Sequence, residues 1–428
     1  MMQRRRFVQA GLGAAATSLL PGPSKASGHF EQGEPRVVVI GGGFAGATAA
    51  KYLREWSRQQ VAVTLVEPQP QFVSCPLSNL VLAGERELAD LTLGYDQLVS
   101  RHGVQWVRER ATRIDPERRR VRLAGGAELP YDRLIVAPGV GFDYHEMPGM
   151  QQPGAHEAVP HAWKAGAQTL ALRRQLQAMP DGGLFAISIP PAPYRCPPGP
   201  YERACLVAQY LSRHKPRSKV LVLDANPDLT SKGALFRQAW AERYPGLVEY
   251  RPGHRVIDVD VARQTFKLDF HEDVRADVLN LIPPMHAGRI ALDAGLATAQ
   301  QRWCEVDFLS FESRVIERVH VLGDAVQSAP ASPKSAHMAN QHGKVCAAAV
   351  LALLSGGTVN PLPQYNNTCY SFVDAQRAVH VASVYRYDAA RATMLTVPGA
   401  GGLSERPSAL EGRHALAWAD GIWADTLA

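Results

Sequence analysis

The sequence is poor in the features that mark membrane, metal-binding and nucleic-acid-binding proteins. Beyond the first 26 residues, no stretch approaches the roughly 18 uninterrupted apolar residues of a membrane-spanning helix. The six cysteines form no C-x-x-C pair and no cysteine–histidine spacing typical of a metal site. The net charge is +6, but four basic residues lie in the N-terminal leader, which leaves +2 for the rest. We therefore expect no membrane span, no bound metal and no nucleic-acid surface.

The N-terminus is typical of a signal peptide, which we assign to residues 1–26. An arginine pair, Arg4-Arg5, precedes a mild apolar run over residues 10–20, and small residues suited to cleavage follow. The pair resembles the twin-arginine signal of bacteria, which exports folded proteins. The alternative is an amphipathic basic tail. We expect a periplasmic mature protein, in a compartment where disulfides persist.

A glycine motif follows the first apolar, β-branched run. Residues 36–40 are predicted to form a strand and residues 45–56 a helix, and the turn between them reads G-x-G-x-x-G. In such a turn the first glycine makes the tight bend, the second lets a pyrophosphate approach the backbone, and the third lets helix and strand pack closely. The phosphates lie at the helix N-terminus, where free N–H groups favour negative charge. The residues predicted to shape or contact this phosphate site are Gly41, Gly42, Gly43, Ala45 and Gly46.

An acidic residue follows the second predicted strand. Residues 61–66 form an apolar run that ends at Glu67, about 20 residues beyond the glycines, where a ribose-binding carboxylate is expected. Strand, glycine turn, helix, strand and acid together predict a dinucleotide site. The alternative is an ordinary βαβ turn with a surface glutamate.

A second βαβ unit lacks this glycine motif. Residues 184–189 form its first predicted strand, residues 202–214 its helix, and residues 219–223 a second strand ending at Asp224. Between the first strand and the helix lies a proline-rich loop, residues 190–200. Proline has no N–H and a fixed φ, so this loop cannot offer a ring of amides to a pyrophosphate. We expect no reduction by a nicotinamide cofactor.

The pattern predicts an α/β fold with two Rossmann-like domains, the second inserted in the first, followed by a C-terminal region. The first domain takes residues 27–148 and 303–358, the second residues 149–302, and the C-terminal region residues 359–428. Strands are also predicted within residues 131–139 and 319–325, and a helix over residues 335–354. Residues 360–428 are rich in proline and are predicted to be irregular.

Three motifs together resemble a family of flavoproteins with two dinucleotide-binding domains, which includes disulfide reductases and sulfide oxidoreductases. They are the glycine turn with Glu67, the segment Y-D-x-L-I-V-A-x-G at 131–139, and V-L-G-D at 321–324. The resemblance implies FAD, with Glu67 on the adenosine ribose and Asp324, after Gly323, on the ribityl chain. It also places Ala137 and Gly139 close to the cofactor and Ala111 on the segment that lines adenine. The alternative for Asp324 is a helix N-cap.

Further motifs are similar to those of the flavoprotein subunit of flavocytochrome c sulfide dehydrogenase. They are R-C-P-P-G-P-Y-E-R at 195–203, L-I-P-P at 281–284, N-T-C-Y-S at 367–371, and C-x-L-S-N at 75–79. This resemblance implies a covalent bond from Cys75 to the 8α-methyl of FAD, and a redox disulfide between Cys196 and Cys369 beside the isoalloxazine. It places Glu202 near that disulfide. Trp418, in a C-terminal region that covers the flavin, packs close to the ring.

Each of these residues also has a plainer interpretation. Cys75 could be an inert loop thiol, and its neighbour Pro76 departs from the bulkier residue expected there. Cys196 and Cys369 could be unpaired structural thiols, and Glu202 could only add charge to the first turn of its helix. Lys334 is either a flavin contact or a solvated loop charge. The remaining cysteines, which lie in apolar patterns and are expected to be buried and inert, are Cys205, Cys304 and Cys346.

The resemblance implies an enzyme that oxidises hydrogen sulfide through the disulfide and the flavin and passes electrons to a c-type cytochrome. The chain has no C-x-x-C-H, so the haem must lie on a separate subunit. Two alternatives stay open. One is a sulfide:quinone oxidoreductase. The other is an accessory flavoprotein that reactivates a periplasmic sulfur-oxidising system.

Overall fold

The computed structural model describes residues 33–428, so the predicted signal peptide and its arginine pair lie outside the described residues. The first apolar run forms the centre of a parallel five-stranded sheet. The order of its strands is β19 (Val319–Val321), β9 (Arg133–Val136), β1 (Arg36–Ile40), β2 (Ala62–Val66) and β5 (Gln105–Val107). Val38 faces Thr64 on one neighbouring strand and Leu134 on the other. Both faces of this run are covered, which is why it is continuously apolar. The elements of this part are β1 (Arg36–Ile40), α1 (Phe44–Trp56), β2 (Ala62–Val66), β3 (Phe72–Val73), α2 (Ser78–Leu82), β4 (Thr92–Leu93), α3 (Asp96–Ser100), β5 (Gln105–Val107), β6 (Ala111–Asp115), β7 (Arg120–Leu123), β8 (Glu128–Pro130), β9 (Arg133–Val136) and β10 (Val140–Phe142).

A second parallel sheet lies between β9 and β19 in the chain. Its four strands run in the order β13-β12-β11-β17, and α6 connects β11 to β12. A small antiparallel sheet, β14-β15-β16, is attached to it, and β10 pairs with β18 between the two larger sheets. The elements are α4 (Ala155–Ala158), α5 (Ala167–Ala178), β11 (Leu184–Ile189), α6 (Gly199–His214), β12 (Lys219–Asp224), α7 (Gly233–Arg243), β13 (Val248–Pro252), β14 (Val256–Asp260), β15 (Thr265–Leu268), β16 (Val274–Arg275), β17 (Val278–Leu281), β18 (Met285–Ala287) and α8 (Arg289–Asp293).

The chain then returns to the first sheet and continues into the C-terminal region. The returning strand β19 ends in a single 3₁₀ turn, Gly323–Ala325, and Ser335 caps the following helix by accepting the Met338 N–H. That helix, α9, packs closely on α1, where any Cβ on Gly343 would lie 2.6 Å from the Ala45 carbonyl oxygen. The elements are β19 (Val319–Val321), α9 (Ala336–Leu354), β20 (Gln364–Phe372), β21 (Ala378–Asp388), β22 (Thr393–Leu403) and α10 (Ala409–Leu427).

The predicted fold class is confirmed, and one local prediction is wrong. Residues 360–428 are not irregular: they form the antiparallel sheet β20-β21-β22 and the helix α10. Of the prolines that suggested an irregular region, Pro361, Pro363 and Pro407 lie outside the strands and the helix, and Pro398 lies in β22, an edge strand, where a missing N–H is tolerated. Within residues 33–428, no helix is both long and apolar enough to cross a membrane.

Candidate active site

A large cavity opens at the carboxyl ends of the first sheet and extends to the C-terminal region. Its volume is about 550 Å³, within the range of cofactor and ligand pockets. Carboxyl ends of parallel strands are where ligands bind in α/β sheets. The predicted site residues that line it are Gly41, Gly42, Gly43, Ala45, Glu67, Cys75, Ala137, Gly139, Cys196, Glu202, Gly323, Asp324, Cys369 and Trp418.

The three glycines of the motif have the geometry that their spacing predicts. Gly41 has a φ of +97°, and a Cβ there would lie 2.3 Å from the Ala137 carbonyl oxygen. A Cβ on Gly46 would lie 1.9 Å from the Gly41 carbonyl oxygen, so this glycine lets α1 pack against the turn rather than lining the cavity. A Cβ on Gly43 would meet no atom within 4 Å. The backbone at Gly43 is therefore open toward whatever group fills the cavity.

Two carboxylates border the same end of the sheet. Glu67 accepts the Gly42 N–H and the Gln69 N–H, each at 2.8 Å, so it stands at the start of α1. Asp324 is different: its Oδ1 is buried and has no hydrogen-bond partner among the described residues. Burial also raises the pKa of Asp324. A buried oxygen without a donor indicates a ligand that supplies one, and the hydroxyl-rich chain of FAD fits this requirement.

Two other predicted residues, Lys334 and Ala111, are not on the wall of the cavity. Lys334 is only 4% exposed, which excludes a solvated loop charge. Its Nζ donates to the carbonyl oxygens of Asp324 (3.0 Å) and Val326 (2.5 Å) and lies 3.7 Å from the centre of the Trp303 ring. Burial lowers its pKa to about 8. Ala111 begins β6 and is buried in the hydrophobic core.

Two cysteines that are 173 residues apart in the chain come into contact in this cavity. Cys196 lies within the proline-rich loop and has a left-handed backbone, φ 57°, and its N–H donates to the Lys334 carbonyl oxygen at 2.8 Å. Cys369 lies on β20. The Cys196 thiol donates a hydrogen bond to the Cys369 sulfur, which lowers the pKa of Cys369 to about 7 and raises that of Cys196. Both are thiols in this structure, and their side chains interact directly.

Glu202 lies next to the cysteine pair, in the first turn of α6. Its Oε1 accepts the Phe372 N–H at 2.7 Å, and its Oε2 accepts an N–H of the Asn79 side chain at 2.8 Å. The carboxylate thus ties α6 to α2 and β20. Burial raises its pKa, so this group can take up and release a proton closer to neutral pH than an exposed glutamate can.

Cys75 lies in the loop between β3 and α2, and the C-terminal helix holds that loop. The Trp423 indole N–H donates to the Ser74 hydroxyl at 2.9 Å, and the Ser74 hydroxyl donates to the Pro76 carbonyl oxygen at 3.2 Å. Trp418, one turn earlier on α10, lines the cavity. The C-terminal region therefore both covers the cavity and positions the loop of Cys75.

Three buried polar side chains around the cysteines, Asn79, Arg203 and Lys232, were not predicted from the sequence. Arg203 donates to the Asn79 side-chain oxygen at 3.0 Å and to that of Asn280 at 2.8 Å. Lys232 donates to the Cys369 carbonyl oxygen at 2.7 Å. Arg203 and Asn79 belong to the motifs at 195–203 and 75–79, which could have indicated them. Lys232 lies in no motif, and nothing local distinguishes it from a surface lysine.

The turn after β11 is filled by the chain itself. Asp224, at the end of β12, is fully buried and accepts the hydroxyl protons of Tyr201 (2.7 Å) and Tyr250 (3.0 Å). Asn226 donates to the same carboxylate and to the Pro190 carbonyl oxygen. Proline and buried tyrosine thus occupy the place that a second dinucleotide would take.

Comparisons with known families agree with this arrangement. Three family models match: the central domain of the sulfide dehydrogenase [flavocytochrome c] flavoprotein chain over residues 169–283, the flavin-binding domain of flavocytochrome c sulphide dehydrogenase over residues 361–427, and pyridine nucleotide-disulphide oxidoreductase over residues 35–177. Together they cover the second sheet, the first four strands of the first sheet in chain order and most of the C-terminal region, but not β19 or α9.

Individual relatives include one flavocytochrome c flavoprotein chain and two sulfide:quinone oxidoreductases. The flavoprotein chain of sulfide dehydrogenase [flavocytochrome c] from Chlorobaculum thiosulfatiphilum is 59% identical over 49 residues, which are 11% of this chain and 100% of that sequence. Mitochondrial sulfide:quinone oxidoreductase of Mus musculus is 25% identical over 340 residues, covering 74% of this chain and 70% of that protein. The solved sulfide:quinone oxidoreductase of Aquifex aeolicus has a TM-score of 0.74 at 18% identity, with 92% of this chain and 91% of that chain covered.

The fold, the cavity and the family matches lead to one assignment. The glycine turn, Glu67 and the unpartnered Asp324 suit a dinucleotide cofactor, and two of the matching models describe the same flavoprotein across the second sheet and the C-terminal region. The chain belongs to the family of flavocytochrome c sulfide dehydrogenase flavoprotein chains, which are FAD-dependent oxidoreductases that act on sulfide.

Proposed function

We propose that this chain is a periplasmic sulfide dehydrogenase that oxidises hydrogen sulfide to polysulfide or sulfur and passes the electrons to a c-type cytochrome subunit. The contact between Cys196 and Cys369 in the wall of the cavity carries the proposal. Two thiols in contact are converted to a disulfide by losing two electrons, and a disulfide is the group that hydrosulfide attacks.

The reaction of the cysteine disulfide with sulfide needs no reactant other than two hydrosulfide ions. Hydrosulfide attacks one sulfur of the Cys196–Cys369 disulfide, so that a persulfide forms and the other cysteine leaves as a thiolate. A second hydrosulfide attacks the outer sulfur of the persulfide and departs as hydrodisulfide, leaving a second thiol. The two electrons from sulfide are then held by the cysteine pair. Glu202, beside the pair, accepts or returns the proton that this exchange moves.

FAD supplies a two-electron acceptor that regenerates the disulfide and can give up its electrons singly to a haem. The residues that would hold it are the glycine turn, Glu67 and Asp324, with Trp418 covering the cavity from the C-terminal side. Cys75, in the same cavity, is proposed as the point of covalent attachment. The Ser74–Trp423 hydrogen bond keeps its loop in place.

Sulfide-dependent bleaching of the flavin absorbance tests the role of the cysteine pair. The purified, flavin-loaded protein is mixed with sulfide without oxygen. The wild type is expected to bleach, and Cys196→Ser is expected to abolish bleaching because no disulfide can form. Cys205→Ala, at a buried cysteine on α6, the helix that follows the loop of Cys196, is the matched control and should bleach like the wild type. Bleaching that survives Cys196→Ser would remove the disulfide from the mechanism.

The mass of the denatured protein tests the bond to Cys75. Wild-type protein should retain the mass of FAD after unfolding, and Cys75→Ala should lose it while still binding flavin in the folded state. An unmodified wild-type mass would show that the flavin is held without a covalent bond.

A quinone is the second candidate for the electron acceptor, because sulfide:quinone oxidoreductases match most of the chain. The cytochrome is favoured by the two flavocytochrome c models and by the packing of α10, whose residues Ala415, Ala419, Ile422 and Leu427 are buried against the protein. Rates with cytochrome c and with a soluble quinone analogue, compared at one sulfide concentration, separate the two. Faster quinone reduction would overturn the cytochrome proposal. Negligible turnover with both acceptors, together with rescue of a sulfur-oxidising partner, would favour the accessory flavoprotein.

Periplasmic location rests on the N-terminal arginine pair. The double variant Arg4→Lys, Arg5→Lys keeps the charge and should leave the flavoprotein in the cytoplasm, because the twin-arginine route reads the arginines themselves. Immunoblots of periplasmic and cytoplasmic fractions measure the outcome. Unchanged export of the variant would contradict the proposed route.

A further inference from the structure

A buried lysine stands directly behind the cysteine pair. Lys232 precedes α7, and its side chain is only 6% exposed. Its Nζ donates to the Cys369 carbonyl oxygen at 2.7 Å and to the Ser371 hydroxyl at 2.8 Å. The ammonium therefore points at β20 at the position of Cys369, although it does not line the cavity.

This ammonium has no carboxylate partner in contact. Among residues 33–428, no aspartate or glutamate oxygen lies within 4.0 Å of the Lys232 Nζ. Buried lysines are rarely left without an opposite charge, because taking an ammonium out of water costs several kcal/mol. Two neutral acceptors do not balance that charge. A negative charge that arises nearby when the cysteine pair is reduced would balance it.

The groups around Lys232 identify where that negative charge arises. Cys369 exerts the largest attraction on the Lys232 ammonium, followed by Glu202 and Cys196. The Cys369 carbonyl oxygen that Lys232 contacts belongs to the residue whose sulfur accepts the Cys196 hydrogen bond. The charged or titratable groups that face the pair are Tyr194 and Arg195 from the proline-rich loop, Glu202 and Arg203 from α6, Lys232 before α7, His337 from α9 and, further away, Glu411 from α10.

We propose that Lys232 is a positioning residue that stabilises Cys369 as the thiolate of the reduced cysteine pair. The inference rests on the proposed function, because only a pair that is reduced in each cycle places a negative charge here repeatedly. The lysine fixes the backbone of Cys369 through one hydrogen bond and supplies a positive charge from a position that does not line the cavity. Burial lowers its own pKa, but the facing thiolate raises it again, so the two charges favour each other.

The sign of the pH dependence follows from this pairing. Cys369 has a pKa lowered to about 7, first by the hydrogen bond from Cys196 and then, against the opposing effect of burial, by the Lys232 charge. The thiolate is therefore present above about pH 7 and is lost as the pH falls through that value. Removing the positive charge raises the pKa of Cys369, so the thiolate appears only at higher pH.

Alkylation of the reduced, flavin-loaded protein measures the thiolate directly and does not need sulfide. The protein is reduced with dithiothreitol, desalted without oxygen, and treated with iodoacetamide at a series of pH values. Mass spectrometry of the Cys369 peptide gives the labelling rate. We expect the wild-type rate to have its midpoint near pH 7. Lys232→Gln should move that midpoint up by about one pH unit, which is about fivefold slower labelling at pH 7, because the wild type is half ionised at that pH. Lys232→Arg keeps the positive charge and should return the midpoint most of the way to the wild-type value.

Two further variants separate charge from packing. Ser371→Ala removes a hydrogen-bond partner of Lys232 but no charge, and should leave the midpoint within about 0.3 pH unit of the wild type. Lys232→Met removes the charge while keeping the length of the side chain, and should shift the midpoint as Lys232→Gln does. If both uncharged variants lose flavin or fail to fold, the wild type alone decides: Cys369 must be labelled faster than Cys196 at pH 7.

The outcomes distinguish this inference from the proposed function. An unchanged midpoint in folded Lys232→Gln, or faster labelling of Cys196 in the wild type, would overturn the role of Lys232 even if sulfide bleaches the flavin. A shifted midpoint in a protein that sulfide does not reduce would support the role of Lys232 and contradict the sulfide reaction.

Discussion

The two βαβ units of this protein have the same order of elements, but only the first has a turn that is open to a ligand. In the first, β1 leads through a glycine turn to α1, and the turn opens on a cavity of about 550 Å³. In the second, β11 leads through a proline-rich turn to α6, and the turn is packed with side chains of the chain itself. The strand and helix framework is thus independent of the ability to bind a dinucleotide, which depends on the residues of one turn.

The acids that end the second strand of each unit show the same contrast. Glu67 borders the open cavity and accepts only backbone N–H groups, so its carboxylate is available to a ribose. Asp224 is fully buried and accepts two tyrosine hydroxyls and the Asn226 side chain. Glu67 therefore lies on the wall of the cavity, whereas Asp224 belongs to the buried interior of the second unit.

This difference has a consequence for how electrons reach the flavin. In the second unit, Cys196 stands at the position where a nicotinamide-binding turn would be, and the C-terminal sheet brings Cys369 against it. The surface that would bind a reduced nucleotide in a two-site flavoprotein instead presents a cysteine pair to the cavity. We therefore expect sulfide rather than a nicotinamide nucleotide to reduce the flavin. We also expect substitutions in the first unit to affect flavin binding and substitutions in the second unit to affect stability.

The largest expected effect separates the two reductants. NADH or NADPH, added without oxygen to the flavin-loaded wild type, should reduce the flavin at least about 1,000-fold more slowly than sulfide does, because the second unit offers the pyrophosphate no ring of amides. Stopped-flow absorbance measures both rates. Rapid reduction by either nucleotide would show that the second unit binds a dinucleotide despite its prolines.

The next effect compares the two acids. Asp224→Ala should lower the free energy of unfolding by about 3 kcal/mol or more, because two buried hydroxyls and an amide lose their acceptor. Glu67→Gln should change the stability of the flavin-free protein by less than about 1 kcal/mol, but should weaken flavin binding. Urea unfolding and flavin content measure the two properties. Similar losses of stability in both variants would contradict the assignment of one acid to a core and the other to a site.

A smaller effect tests the glycine turn alone. Gly43 has ordinary backbone angles and space for a Cβ, so Gly43→Ala should fold normally. The new methyl group would stand where the phosphates approach, and flavin binding in a Cys75→Ala background should weaken by about tenfold, or 1.4 kcal/mol. Gly421→Ala, at an open position on α10, is the matched control and should bind flavin like its parent. Equal affinities in all variants would move the phosphates away from this turn.

The smallest expected effect comes from removing one hydrogen bond in the second βαβ unit. Tyr250→Phe removes the longer of the two tyrosine bonds to Asp224 and leaves the Tyr201 bond in place. We expect a loss of about 1 kcal/mol in the free energy of unfolding and no change in sulfide-dependent bleaching. A change in the bleaching rate without a change in stability would connect this cluster to the active site rather than to the core.

Much of the first unit could be predicted from the sequence, because its signals are local. The strand, the glycine turn and the helix depend on residues within about ten positions of one another, and the turn geometry at Gly41 and the packing at Gly46 follow from glycine's missing side chain. The proline-rich turn of the second unit could be predicted in the same way. The C-terminal sheet could not, because the glycines and proline of β22 have the composition of a loop and are tolerated only at a sheet edge.

The sequence by itself determined the α/β framework, the dinucleotide turn with Glu67, and the exclusion of such a turn from the second unit. Only the tertiary structure decided that Cys196 and Cys369 touch, that Lys232 lies buried behind them, and that Asp224 faces two tyrosines. The physical reason is the distance along the chain. A local pattern limits the conformation of its own residues, whereas a contact between residues 137 or 173 positions apart exists only after several elements have packed together.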